Sequence, residues 1–231
     1  MIITVHQPQY LPWAGYFDKI DQSDVFVILD NVQFKKNEWQ NRNRIKTSQA
    51  WQWITVPILH SFPEEIRRIR IDNKTEWGRK HLNTLITNYS KTKFFKDYIT
   101  FFEDIYNREW DYLVDLNMEI IYYLINVLGL KKEIILSSSL QLSKEPTGRL
   151  IDICKSIGED TYLSGQGGQD YMNMDRFREE GIKVIFQNFK LPSYNQLFGD
   201  FVPYLSIIDL LFNHGEESID IIRKCRKGNN R

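Results

Sequence analysis

I-I-T-V-H-Q-P-Q-Y-L-P-W-A-G-Y-F-D-K-I-D-Q-S-D-V-F-V-I-L-D, Ile2 to Asp30, is the stretch that decides how this chain folds. Ile2 to His6 is rich in β-branched residues and reads as a strand. Pro8 and Pro12 cannot supply ladder N–H groups, so Gln7 to Pro12 leaves that strand as a loop. A helix then starts near Trp13 with Tyr16, Phe17 and Ile20 facing inward, and Val25 to Leu29 is an unbroken apolar run of the kind found in buried parallel strands. Strand, loop, helix and strand in this order make a β-α-β opening.

Downstream, Trp51 to Ile58 and Glu65 to Ile71 alternate enough to read as strands. From Trp77 to Leu128 the period becomes helical. Leu82, Leu85, Ile86 and Tyr89 share one face, Phe94, Tyr98, Phe101 and Ile105 the next, and Leu113, Leu116, Ile120, Leu124 and Val127 continue the pattern to a stop at Gly129. Glu133 to Leu140 reads as a strand, Leu150 to Ile157 as a helix closed by Gly158, and Thr161 to Leu163 as a strand running into S-G-Q-G-G-Q-D-Y, Ser164 to Tyr171. Lys183 to Phe189 is a further strand, Pro192 to Pro203 a loop, and Ser206 to Phe212 a helix with capping-box-like Ser206 and Asp209 and a stop at Gly215. The expected fold class is α/β, a mainly parallel sheet with a central helical insertion or layer. One domain is expected, with residues 1–75 and 133–215 as sheet core, 76–130 as the helical insertion, and 216–231 as a basic C-terminal tail whose last residues, Arg223 to Arg231, read as frayed.

With 231 residues, 42% of them hydrophobic and 14% aromatic, the chain can bury a large core. Its 30 Lys and Arg cancel its 30 Asp and Glu, so no global charge draws it to nucleic acid or to an anionic membrane. Cys154 and Cys225 make neither a disulfide framework nor a zinc array, which fits a reducing cytoplasm. The amino terminus lacks the pattern of a secretion signal, and no run approaches the ~18 apolar residues of a membrane span. His60, His81 and His214 show no ligand spacing, so no metal site is expected, and the sequence names no cofactor.

His6 ends the first strand and Asp30 the second, at the carboxyl edge where open α/β sheets bind ligands. They are the candidate catalytic residues: an imidazole titrates near neutral pH, and a carboxylate can serve as base or metal contact. Gln7, Gln9 and Tyr10 offer amides and a phenol suited to a hydroxyl-rich ligand, and Trp13 and Tyr16 offer faces for stacking. Local turn bonding and core packing are the competing accounts of these residues. Between Asp30 and Lys46, Gln33, Lys35, Trp39, Asn41, Arg42 and Asn43 are candidate contacts, within a segment made basic by Lys35, Lys36, Arg42, Arg44 and Lys46 and suited to a diphosphate. Ser164, Gly165, Gly167, Gly168 and Tyr171 form a glycine-rich turn that can bring backbone N–H groups to an anion, without the lysine of a triphosphate-binding loop. Tyr194 and Gln196 on the late loop complete the candidate substrate-binding set.

Five blocks carry a resemblance: P-Q-Y-L-P-W-A-G-Y-F (Pro8 to Phe17), D-V-F-V-I-L-D-N-V-Q-F (Asp24 to Phe34), N-R-N-R-I-K (Asn41 to Lys46), Y-L-S-G-Q-G-G-Q-D-Y (Tyr162 to Tyr171) and L-S-I-I-D-L-L-F-N-H-G (Leu205 to Gly215). In this order, over nearly the whole chain, they resemble the WbqC-like family, which is similar to proteins encoded among bacterial surface-polysaccharide genes. The resemblance implies a cytoplasmic transferase of O-antigen-type lipopolysaccharide biosynthesis. Its expected partner is a small molecule, a nucleotide sugar, with group transfer to an amino sugar and no role for nucleic acid or membrane insertion. More distantly, the opening is similar to that of pantothenate synthetase and the nucleotidyl transferases, implying a Rossmann-like, nucleotidyl transferase-like sheet. There Trp13-Ala14-Gly15-Tyr16 stands in the place of an H-x-G-H motif, and Asp30 to Phe34 in that of a later segment. Both histidines are absent, which speaks against adenylyl transfer. ATP-dependent amide formation or nucleotidyl transfer, and a non-catalytic module binding RNA or a partner protein, are the alternatives.

Overall fold

A computed structural model of the chain describes residues 1–59 and 63–226. The opening folds as β1 (Ile2–His6), α1 (Ala14–Gln22) and β2 (Val25–Ile28). A two-stranded antiparallel ribbon follows, β3 (Arg42–Thr47) with β4 (Ala50–Thr55), then a second short one, β5 (Ile58–Leu59) with β6 (Arg70–Ile71). Three helices come next, α2 (Trp77–Tyr89), α3 (Phe95–Asn107) and α4 (Leu113–Val127). The chain then returns to the sheet through β7 (Glu133–Leu136), α5 (Pro146–Ile157), β8 (Thr161–Ser164), α6 (Met174–Glu179) and β9 (Lys183–Phe186), and closes with α7 (Ile207–His214) and α8 (Ser218–Lys224).

The fold is α/β and Rossmann-like. All five strands of the main sheet run parallel, in the order β7-β2-β1-β8-β9, with His6 beside Ile28 and Thr4 beside Leu163. Period-two alternation sends Phe26 and Ile28 toward Tyr16, Phe17 and Ile20 of α1, and sends Ile3, Val5, Val25 and Val27 toward Leu150, Ile151, Ile153 and Cys154 of α5. The helical layer shares the first of these cores, where Phe102, Ile105, Leu116, Ile120 and Leu124 are fully buried. Burying each such side chain is worth roughly 1.5–3 kcal/mol. No helix of the described residues is long and apolar enough to cross a membrane.

Several local expectations change. Glu65 to Ile71 is not one strand: Ile66–Arg68 is a 3-10 turn, because Ile66 and Ile69, three residues apart, both point into the core. Glu133 to Leu140 breaks after Leu136 into a 3-10 turn of Ser137–Ser139, whose hydroxyls bond outside the ladder. The inward stripe of α2 is Trp77, His81, Leu85 and Tyr89, which leaves Ile86 exposed. Ser206 caps α7 through Ile208 N–H, but Asp209 turns inward to Tyr89 and does not complete a capping box. The C-terminal segment is not wholly a frayed tail. Residues Ser218–Lys224 are helical, Arg223 bonds Asp21, and Arg226 bonds Asp18. His60 and the last five tail residues lie outside the described residues.

One buried polar chain ties the loop after β1 to the helical layer. His81 Nε2 lies 3.1 Å from the Thr55 carbonyl, which can only accept, so Nε2 carries the proton and Nδ1 accepts from Tyr10 OH at 2.8 Å. Tyr106 OH then donates to Tyr10 OH at 2.6 Å. Burial pulls the His81 pKa from 6.5 down to about 4, so the folded protein holds it neutral. As pH falls below about 6.5 the unfolded chain gains a proton that the folded chain refuses. Stability is therefore lost at up to ~1.4 kcal/mol per pH unit down to about pH 4. Urea denaturation at pH 7 and pH 4.5 should show a smaller acid-induced loss in His81→Gln than in wild type; equal losses would remove His81 from this account.

Candidate functional site

The chain leaves β1 toward β2 through α1, on one face of the sheet, and reaches β8 on the other side of β1 through α5, on the opposite face. The two connections diverge, so the carboxyl ends of β1 and β8 flank an uncovered crevice, the switch point at which open α/β sheets take ligands. His6 stands at one lip and Ser164 at the other.

Three adjoining hollows share His6. The smallest, about 180 Å³, is lined also by Trp13, Lys19, Gly165, Gln187 and Phe189. A second, about 340 Å³, runs between Gln7 and Lys19 on one side and Tyr162, Ser164, Gly165, Gly167, Gly168 and Tyr171 on the other. The third, about 460 Å³, opens sideways among Gln7, Gln9, Trp13, Trp39, Arg44 and Tyr204. Among the described residues, exposed Glu38 is the only carboxylate bordering any of the three.

His6 Nδ1 lies 3.1 Å from the Gln7 carbonyl, so Nδ1 donates and Nε2 is left as the acceptor. Burial, and then the nearby Lys19 charge, draw its pKa down to about 3 and keep the ring neutral. Lys19 projects from α1 and donates from Nζ to the Val5 carbonyl at 3.0 Å, and burial lowers its pKa to about 8. Gln187 is fixed by Gly15 O at 2.9 Å and Asp18 Oδ2 at 2.6 Å. In the third hollow the Oε1 of buried Gln9 and the Nε of Arg44 have no partner among the described residues. Arg44 is otherwise held by the Tyr204 carbonyl at 3.0 Å and by the rings of Trp51, Trp39 and Trp53, whose centroids lie 5.0, 5.7 and 6.0 Å from its guanidinium carbon. Burial holds its pKa below the ordinary arginine value.

Of the three glycines that line the second hollow, Gly168 and Gly165 differ in reason. A Cβ on Gly168 would stand 2.0 Å from Ser164 Oγ, so Gly168 is demanded by packing. A Cβ on Gly165 would meet nothing within 4 Å, and its φ of −66° suits any residue. Among the described residues, its chain neighbours aside, nothing calls for glycine there.

Of the sequence-predicted residues, His6, Gln7, Gln9, Trp13, Trp39, Ser164, Gly165, Gly167, Gly168 and Tyr171 come together around these hollows. The others do not. Tyr10 and Tyr16 are core residues, 0% and 1% exposed. The Asn41 side chain bonds the Val56 carbonyl and that of Asn43 the Leu11 carbonyl, so both act as braces. Arg42 bonds the Asn37 carbonyl, stacks 4.2 Å over Trp53 and, though its Nε is buried without a partner among the described residues, lines none of the three. Gln33 and Lys35 are exposed and line none of the three. Tyr194 packs on His214 and Phe201, and Gln196 bonds Val202 beside a separate hollow. Asp30 is consumed structurally: Ser138 N–H and Oγ donate to its two oxygens at 2.9 and 2.6 Å, and Ser137 Oγ lies 2.9 Å from Oδ1, joining the end of β2 to the end of β7. Among the described residues no group of three or more His, Cys, Asp or Glu side chains could hold a metal ion.

Sequence reasoning missed Lys19, Gln187 and Tyr204 as lining residues, and named Arg44 only as one of the cations of a basic segment. For Lys19 a signal existed, since it stands between Phe17 and Ile20 on the inward side of a helix with no carboxylate placed to meet it.

A family model described as "WbqC-like protein family" matches residues 7–221. The chain is 37% identical, over 97% of its length and 99% of the other's, to "Uncharacterized protein Rv1507c" of Mycobacterium tuberculosis. No solved structure matches it.

The bonding of Asp30 makes its removal a matter of stability. Asp30→Asn should lower unfolding free energy by about 1–3 kcal/mol while leaving ligand affinity within about twofold. Chemical denaturation and calorimetric titration measure the two separately, and a stable variant that has lost only binding would restore Asp30 to the site.

Proposed function

The chain belongs to the WbqC-like protein family, and from that premise we propose that it is an enzyme of bacterial surface-polysaccharide assembly, transferring a group to the amine of a nucleotide-activated sugar. The observation that carries this reading is the position of His6, a neutral imidazole common to three hollows at the switch point of the sheet. A nucleotide sugar reaching across two of these hollows would carry its amine past that ring.

Size and chemistry support the division. The second and third hollows, about 340 and 460 Å³, fall in the ~300–1,000 Å³ range of small-molecule sites. The third offers flat faces from Trp13, Trp39 and Tyr204, the unpaired Gln9 oxygen and the Arg44 cation, a set suited to a base and its phosphates. The second offers the open backbone at Gly165 and the Tyr171 ring to the sugar. In the transfer step the amine nitrogen forms the new bond, its proton passes to His6 Nε2, and the leaving group departs with the bonding electrons. Negative charge on the substrate offsets the Lys19 field and makes His6 a better base than in the empty site.

A second reading rests on the ribbon. Trp51 and Trp53 are 41% and 39% exposed beside Arg42 and Arg44, an arrangement that single-stranded nucleic acid could use by stacking. It requires affinity that falls steeply with salt.

Melting curves against a panel of nucleotide sugars and nucleotides should show stabilisation by at least one nucleotide sugar, through mass action on the folded state. With that ligand and its group donor, His6→Ala should lower turnover by about 10²–10⁴-fold while keeping its fold. Stabilisation by single-stranded RNA alone, or wild-type turnover in His6→Ala, would overturn the proposal.

A further inference from the structure

Lys19 is only 4% exposed, and its ammonium makes one hydrogen bond, to the Val5 carbonyl at 3.0 Å. It takes part in no ion pair among the described residues, and burial alone accounts for its lowered pKa. The nearby acids are committed elsewhere. Asp18 is held by Arg226, Gln187 and Gln22, each at 2.6 Å, and Asp30 by Ser137 and Ser138. An ammonium that is buried, uncompensated and left with two unused N–H donors is costly to keep unless something outside the chain completes it. Lys19 also lines both the smallest and the second hollow, beside His6 and Gly165.

We propose that Lys19 is an anion-binding residue, and that its ammonium docks the phosphoryl oxygens of the ligand where these two hollows meet. A phosphoryl group fits better than a flat carboxylate. It is tetrahedral and bulky, and Gly165 leaves room for it where a Cβ would meet no atom of the protein within 4 Å. A second cation, Arg44, whose Nε has no partner among the described residues, lines the third hollow, which also contains His6, so hollows that share the imidazole each hold a positive group, an arrangement suited to a diphosphate reaching across the crevice. This assignment rests on the reading of the crevice as a ligand site and adds which atom meets the phosphate. It does not depend on the ligand being a sugar.

Inorganic pyrophosphate is therefore the probe, with wild type and Lys19→Met compared by calorimetry and by melting. Methionine keeps most of the stem and removes the charge. Pyrophosphate should bind wild type and stabilise it, with affinity in Lys19→Met lower by roughly 10- to 100-fold. Without ligand, Lys19→Met should melt at or above wild type, because a buried unpaired charge has been removed. In the unaltered protein, pyrophosphate should slow acetylation of Lys19 relative to surface lysines, a readout that survives if the variant fails to fold. Equal pyrophosphate affinity in the two proteins, or a Lys19 acetylation rate unmoved by pyrophosphate, overturns the assignment. Pyrophosphate binding that depends on Lys19, with no response to any nucleotide sugar, would uphold Lys19 and remove the sugar reading alone.

Discussion

Everything at the site follows from where β1 lies in the sheet. With β2 on one side and β8 on the other, reached by helices on opposite faces, no single connection can roof the carboxyl end of β1. The loop after His6 must therefore support itself. Pro8 and Pro12 restrict it, Tyr10 is buried against His81 and Tyr106, and Asn43 donates to the Leu11 carbonyl at 2.7 Å. Leu11 adopts φ +47°, a left-handed conformation that costs an ordinary residue roughly 1–2 kcal/mol, and those contacts hold it there. Tyr10 occupies the core while its neighbour Gln9 borders the third hollow. The rigidity of the loop and the placement of Gln9 are one fact.

Much of this was legible in the residues, and the reasons for the exceptions are physical. The opening β-α-β unit could be read because continuous apolar runs and helix-spaced aromatics leave few other ways to bury themselves. The stops at Gly129, Gly158 and Gly215 could be read too, and each has positive φ, at 67°, 80° and 57°. Strand β3 could not. R-N-R-I-K-T has little apolar content, and it is a strand because Trp51 and Trp53 lie opposite Lys46 and Arg44 on the partner strand. Local sequence carries no record of that pairing.

The candidate site divides along the same line. His6 and Ser164 to Gly168 could be assigned to one edge of the sheet because strand ends are visible in sequence, and they do line shared hollows there. Choosing between Arg42 and Arg44 was impossible: two residues apart on a strand they share a face, and only the end of the ribbon that meets Tyr204 faces the hollow. Asp30 shows the opposite failure. Its position at the end of β2 is that of a catalytic carboxylate, but serines follow the end of the next parallel strand, and their hydroxyls take up its oxygens.

The way charge is held at the crevice differs from the way it is held at the C-terminal helix. There cations meet anions: Arg223 and Arg226 close on Asp21, which draws the Asp21 carboxyl down to about 2, and such pairs leave little net field. Around His6 the cations meet neutral partners. Lys19 rests on a carbonyl, and Arg44 rests on a carbonyl and three indole rings. Carbonyl dipoles and ring faces orient a cation without cancelling its charge, so both groups stay positioned and positive. That arrangement opposes folding, since buried charge lacks its counterion, and it favours a ligand that brings the counterion with it. An acid introduced beside Lys19 would stabilise the empty protein and remove the attraction on which binding rests.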